Sequence, residues 1–173
     1  MGKIATISRG KRVVKSQLQN IGKYPVYQNC LSPMGYYENS NRKAKTTFII
    51  GAGAAGDLGY SNIDFWAADD CYTFECKYNL NSKFLFYALE CQQNYIYTRV
   101  RKASIPRLSK TVLEKIKIPV PPIEEQERIV GILDRFDKLC NDISEGLPAE
   151  IEARRKQYDY YRDKLLSFEE LRT

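Results

Sequence analysis

Ile118-Pro119-Val120-Pro121-Pro122-Ile123-Glu124-Glu125-Gln126-Glu127-Arg128-Ile129-Val130 divides this chain into two parts of different chemistry. Beyond it, apolar residues fall at Ile129, Leu133, Phe136, Cys140 and Ile143. Those steps of four and three are the seam of a coiled coil. Pro121-Pro122 ends what precedes, and proline is tolerated in a first helical turn. Glu124, Glu125 and Glu127 lie in that turn, where carboxylates complement the helix dipole. A second run carries Ile151, Tyr158, Tyr161 and Leu165, and Gly146-Leu147-Pro148 between the runs predicts a kink or a split. The seam finds no mate in this reading, which predicts a second copy of the chain as its partner.

Before the divide the pattern is strand and turn, basic and aromatic. Lys and Arg outnumber Asp and Glu by 18 to 8 over residues 1–119, a net +10, whereas residues 120–173 carry 9 against 13, a net −4. The whole-chain +6 hides a basic head and an acidic tail. The asymmetry points to a polyanion for the head and a protein for the tail.

The 173 residues leave room for one sizeable core. No apolar run approaches the roughly 20 residues that cross a bilayer, and Met1–Thr6 lacks an apolar signal core, so a cytoplasmic location without membrane contact is expected. The five cysteines (Cys30, Cys71, Cys76, Cys91, Cys140) form no Cys-x-x-Cys pair and the chain has no histidine. Reduced, buried thiols and no metal site or cofactor are expected. The missing histidine removes the commonest general base and every Ser-His or Cys-His nucleophile pair.

Along the head, residues 3–8 alternate as a half-buried strand and residues 24–28 read as a short strand whose Pro25 suits an edge. Residues 29–45 read as loop, and Thr46–Ile50 and Cys71–Cys76 as strands. Asn81 or Ser82 caps a helix through about Asn94 that buries Leu85, Ala88 and Leu89; Ser109 caps another through about Lys115. Ile116–Pro119 closes with a short strand. The result is an α+β chain: a small mixed-sheet head, residues 1–119, and a helical, coiled-coil tail, residues 120–173.

Gly51, Gly53 and Gly56 match the literal spacing of a dinucleotide-binding loop. No amphipathic helix follows, so a pyrophosphate would find no helix N-terminus. A tight turn that brings backbone close to a partner is the better reading. Asp69-Asp70 is the head's only adjacent acidic pair, and neighbouring strand residues face opposite ways. No methyltransferase or nuclease motif is present, so no catalytic residue is assigned. Basic residues cluster three times in loops: Arg9, Lys11, Arg12 and Lys15; Arg42, Lys43 and Lys45; Arg99, Arg101, Lys102 and Arg107. Tyr24, Tyr27, Tyr36, Tyr37, Tyr95 and Tyr97 interleave with them. Phosphate neutralisation and base-edge contacts from loops suit that set. All but Arg9 are the expected DNA contacts. An assembly protein whose basic head meets acidic protein remains the alternative.

Taken in order, Ile4–Arg12, Gly22–Tyr27, Pro33–Tyr37, the glycine loop, Phe65–Cys71, Ser104–Ser109, Ile116–Gln126 and Leu147–Tyr158 resemble a type I restriction-modification specificity subunit. The P-P-x-E-E-Q and L-P-A-E-I-x-x-R-x-K-Q-Y segments are specific in combination. The resemblance implies a target-recognition domain followed by a helical spacer, no catalysis, and double-stranded DNA, a methyltransferase subunit and a restriction subunit as partners. Full-length members hold two recognition domains and two spacers; this chain has one of each, which fits either a half-subunit or a fragment of a longer one, and the unmated seam favours the half. The expectation is a homodimer of half-subunits, joined through Ile129, Leu133, Phe136, Cys140, Ile143, Ile151, Tyr158, Tyr161 and Leu165, that reads a split target in inverted halves.

Overall fold

The computed structural model describes residues 1–77, 79–142 and 148–167. It falls into two units, Met1–Ile118 and Pro119–Thr173. The first unit contains β1 (Ala5–Arg9), β2 (Tyr24–Tyr27), β3 (Tyr36–Tyr37), β4 (Thr46–Ile50), β5 (Leu58–Ser61), β6 (Trp66–Ala67), β7 (Cys71–Cys76), α1 (Ser82–Glu90), α2 (Gln93–Thr98) and α3 (Lys110–Lys115). The second contains α4 (Ile123–Asp142) and α5 (Pro148–Leu166).

β4 organises the head because its β-branched and aromatic residues are buried on both faces. It lies inside an antiparallel sheet of order β1-β7-β4-β5. Alternation sends Phe48 and Ile50 to one side, into a cluster with Phe65, Ala67 and Cys71 against which Tyr27 packs. Tyr27 stacks on Phe48 at 4.8 Å between centroids, and Phe48 meets Phe65 at 5.3 Å. Thr47 turns the other way, and its amide donates to Ser82 Oγ (3.1 Å) at the start of α1. α1 buries Phe84, Leu85, Tyr87, Ala88 and Leu89. Each large apolar side chain so buried contributes roughly 1.5–3 kcal/mol.

A second, mixed sheet has the order β3-β2-β6. β2 is therefore central, not an edge. Pro25 is nevertheless accommodated: it pairs with Tyr36 on one side, while the parallel ladder to β6 begins only at Val26. Three further expectations are corrected. The helix expected to run to Asn94 stops at Glu90, and α2 starts separately at Gln93. β5 and β3 lie in stretches that read as glycine loop and coil. Ile116–Pro119 forms no strand; the Ile116 carbonyl instead accepts from the Met1 amino group at 2.7 Å. Burial depresses the pKa of that amine.

In the second unit, the Pro122 carbonyl accepts from the Glu125 and Gln126 amides, both at 3.1 Å. The buried Gln126 side chain donates to the Pro121 carbonyl at 2.7 Å. Arg128 grips Glu125 with two hydrogen bonds of 2.7 and 2.6 Å, which hold that carboxyl below its ordinary pKa. The motif starts a helix. The seam also has a mate in the chain, against expectation. α5 packs on α4, and Phe136 stacks on Tyr161 at 6.0 Å. Ile129 and Leu133 are fully buried within the single chain. Leu166 is buried more deeply than Leu165, and Tyr158 is half-buried. Ile143 and Gly146 lie outside the described residues, as does the side chain of Ile151. Among the described residues no helix is long and apolar enough to cross a membrane.

The Asn81 side chain accepts from the Lys83 and Phe84 amides (2.8 and 3.1 Å), closing the open end of α1. Asn81→Ala is expected to lower stability by about 1 kcal/mol. Urea unfolding should show a lower midpoint at unchanged slope, and an unmoved midpoint would refute the capping role.

Candidate nucleic-acid interface

The glycine-rich stretch after β4 is a backbone rail. The Gly51 amide donates to the Asp70 carbonyl (2.6 Å), and the Gly51 carbonyl accepts from the Leu108 amide (2.8 Å). The Gly53 amide donates to the Pro106 carbonyl at 3.2 Å. Residues 101 and 107 pair with each other through N–H···O bonds of 2.8 and 3.1 Å, which closes the segment between them into a loop. A Cβ on Gly51 would lie 2.6 Å from the Tyr72 ring, and Gly53 takes φ +85°. Only glycine permits both. The close partner is thus the chain's own 106–108 segment. The stretch runs on into β5, so no helix N-terminus stands ready for a pyrophosphate.

This zipper brings two separate basic clusters together. Arg9, at the end of β1, meets Arg99, Arg101 and Arg107 around a cleft of about 370 Å³ that is also lined by Asp69, Asp70 and Tyr72. The Arg9 Nε donates to the Asp69 carbonyl, and its guanidinium lies 3.8 Å from an Asp70 carboxylate oxygen. Arg99 lies over the Tyr95 ring at 4.8 Å. Tyr95 and Tyr97 are exposed beside the cleft, and the Tyr97 hydroxyl donates to Asp57 at 2.9 Å. Burial, reinforced by Asp57, raises the Tyr97 pKa. Guanidinium groups in a concave polar site suit phosphate oxygens or guanine edges.

The remaining expected contacts separate into two kinds. Lys11, Arg12, Lys15, Lys43, Lys45 and Lys102 are exposed. Lys11 is fixed by its backbone: its amide donates to Ala67 and its carbonyl accepts from the Trp66 indole at 2.8 Å. Lys43 pairs with Asp64 at 3.2 Å. The Ala44 amide, helped by Lys43, holds the Asp64 carboxyl below its ordinary pKa. Arg42 is different. Its Nε donates to Thr73 Oγ1 (2.6 Å), Nη1 to the Asn41 carbonyl (2.7 Å) and Nη2 to the Arg9 carbonyl (3.1 Å). It is a brace between strands, its guanidinium already engaged within the chain. Tyr27 and Tyr37 likewise belong to packing: Tyr27 packs against the core, and Tyr37 meets Trp66 edge-on at 5.0 Å. Burial pushes the Cys71 thiol up to about 12 and Cys76 to about 11, so both remain protonated and unreactive. Among the described residues no cluster of three metal-ligating side chains forms.

Residues 1–153 match the family model for the type I restriction modification DNA specificity domain, and the chain belongs to that family. It is 35% identical over 170 residues to the type I restriction enzyme MpnII specificity subunit of Mycoplasma pneumoniae, which covers 95% of this chain and 51% of the relative. It is 47% identical over 92 residues to the EcoR124I/EcoR124II specificity subunit of Escherichia coli, 52% of this chain and 23% of that one. The fold matches the crystal structure of the type I restriction-modification S subunit from M. genitalium with a TM-score of 0.74 at 23% identity, over 92% of this chain and 42% of that chain. The chain spans about half the length of the curated relatives it matches.

The brace and the surface charge should respond differently to mutation. Arg42→Met removes three hydrogen bonds and leaves Thr73 and two carbonyls short of a donor, at about 1–3 kcal/mol of stability. Lys43→Ala should stay within about 0.5 kcal/mol. Thermal unfolding of the two variants checks this, and equal effects would remove the distinction.

Proposed function

We propose that this member of the type I specificity family recognises a short DNA sequence and carries no catalysis of its own. It directs a methyltransferase subunit, and with it a restriction subunit, to that sequence. The carrying observation is the cleft where Arg9, from one end of the head's sequence, meets Arg99, Arg101 and Arg107 from the other. Nothing in the isolated sequence requires those residues to meet, and the four guanidinium groups outnumber the two carboxylates, Asp69 and Asp70, that line the same cleft, which leaves it net positive and suited to an anion. Arg9, Arg99, Arg101 and Arg107 hold the DNA in this reading, and exposed Lys11, Arg12, Lys15, Lys43, Lys45 and Lys102 add phosphate contacts around them. Arg42 serves by bracing the Arg9 carbonyl.

The tail supplies the assembly surface. With Ile129 and Leu133 already buried and Phe136 on Tyr161, a second copy would use the outer faces of α4 and α5. Tyr160, 61% exposed, is the most exposed large apolar side chain of α4 and α5 among the described residues. Two copies together have roughly the length of one full relative, so a homodimer would present two recognition domains to a bipartite, inverted target.

Two measurements test this reading. Binding of the full chain to duplex DNA should fall log-linearly with salt, and Arg101→Ala/Arg107→Ala should reduce that slope by about 2. Salt-insensitive binding would favour the assembly-protein alternative. Light scattering should give twice the chain mass of 20.0 kDa, reverting to one chain in Tyr160→Glu. A wild-type monomer would remove the homodimer.

A further inference from the structure

The four-arginine cleft also contains carboxylates, and a carboxylate does not belong beside phosphate. DNA backbone offers an anionic protein group no donor; phosphates and sugars only accept or repel. The donors that duplex DNA presents in its major groove are the exocyclic amino groups of cytosine and adenine. An acidic side chain in a DNA-facing cleft therefore has either a structural partner in the protein or a base amino group in the complex.

Asp70 has little of the former. It sits with Asp69 at the centre of a turn closed by the Cys71 amide donating to the Ala68 carbonyl at 3.0 Å. The turn is held by its backbone. The Gly51 amide donates to the Asp70 carbonyl, the Arg9 Nε to the Asp69 carbonyl, and the Gly10 amide to the Cys71 carbonyl at 2.9 Å. Gly10 packs so closely beneath the Ala67 and Ala68 carbonyls that a Cβ would overlap them. The carbonyls are engaged by hydrogen bonds; the Asp70 carboxylate makes only a long ion pair with Arg9. The Asp70 side chain is 25% exposed, and its nearest charged neighbour is Arg9 at 3.8 Å, beyond hydrogen-bond reach. A rigid turn that presents a part-exposed carboxylate with acceptor capacity to spare beside a guanidinium is suited to reading a base edge.

The neighbour identifies what is read. A C·G pair presents, side by side on its major-groove edge, the N4 amino donor of cytosine and the O6 and N7 acceptors of guanine. A carboxylate beside a guanidinium is the complement of that edge. Asp70 takes the amino hydrogen and the Arg9 fork takes O6 and N7. An A·T pair interposes the adenine amino group between its two acceptors and adds a methyl group, so it cannot satisfy the fork in the same way. We infer that Asp70 and Arg9 are specificity-determining residues that together read one C·G base pair of the target. This rests on the DNA-recognition reading above.

The test selects duplexes from a randomised pool with the full chain, then repeats the selection with Asp70→Asn and with Arg9→Lys. Asn keeps the shape and the backbone bonds of the turn; Lys keeps the charge and loses the fork. The wild-type motif should contain a fixed C·G pair. Each variant should lose preference at that position by about tenfold or more, with the other positions unchanged. An unchanged motif in Asp70→Asn, or uniformly tighter binding to every sequence, would overturn the inference and leave Asp70 as a counter-charge. A wild-type chain that retains duplex but enriches no motif would overturn sequence reading itself, and a wild-type chain that retains no duplex would overturn DNA recognition; each takes this inference down in a distinguishable way.

Discussion

The head depends on the close passage of Gly10 beneath the Ala67–Asp70 turn. Four segments meet there. β1 ends at Arg9, β6 ends at Ala67, β7 begins at Cys71, and the glycine stretch after β4 reaches across to the Asp70 carbonyl. Each backbone polar group at this crossing needs a partner, because burial without one is costly. Gly10, Lys11, Gly51 and Cys71 supply amides to the carbonyls of Cys71, Ala67, Asp70 and Ala68 respectively. A side chain at residue 10 would force the strands apart, and the two sheets would lose their common corner.

That crossing converts a fold into a site. The two sheets bury separate aromatic clusters, one around Phe48 and Phe65 and one around Val26 and Trp66. Their shared corner is where loops from distant parts of the chain emerge side by side. The Gly51–Gly53 rail then receives residues 106–108 and brings three arginines to Arg9. The rigid part is backbone hydrogen bonding and close packing. The variable part is side chains on the loops that it positions. A recognition module needs that division, since its scaffold must persist while the residues that face the target change.

What was legible in the sequence follows the range of the physics involved. β4 and β7 were readable because five or six β-branched and aromatic residues in a row have few alternatives. The caps at Asn81 and Ser109 were readable because capping is decided within three residues. β5 was not, because Leu58-Gly59-Tyr60-Ser61 has no strand signature until Phe48 lies across Gly59. Pro25 pointed to an edge by a rule about missing donors, yet the ladder to β6 starts one residue later and needs no donor from it. The basic clusters were visible, but not which of them would meet, nor that Arg42 would be engaged by Thr73 and the Arg9 carbonyl. Donor allocation is a tertiary property, and composition carries no trace of it.

The tail teaches the same point about seams. A four-three spacing at Ile129, Leu133, Phe136 and Cys140 states that one face is apolar. It does not state what covers that face. α5 contributes Tyr161 against Phe136 despite an apolar spacing too irregular to announce a matching stripe. A helix can therefore be mated by a partner whose own sequence does not look like a mate. The consequence reaches assembly. With the inner seam closed within the chain, a second copy under the homodimer proposal would meet the outer surface of α4 and α5, where the described side chains of α5 are mostly charged or aromatic and paired locally, as Lys156 with Glu152 at 2.8 Å and Arg162 with Asp159 at 3.2 Å. Association through such a surface is more polar than a bare leucine seam. Such a surface would associate with a sensitivity to ionic strength that a leucine seam lacks.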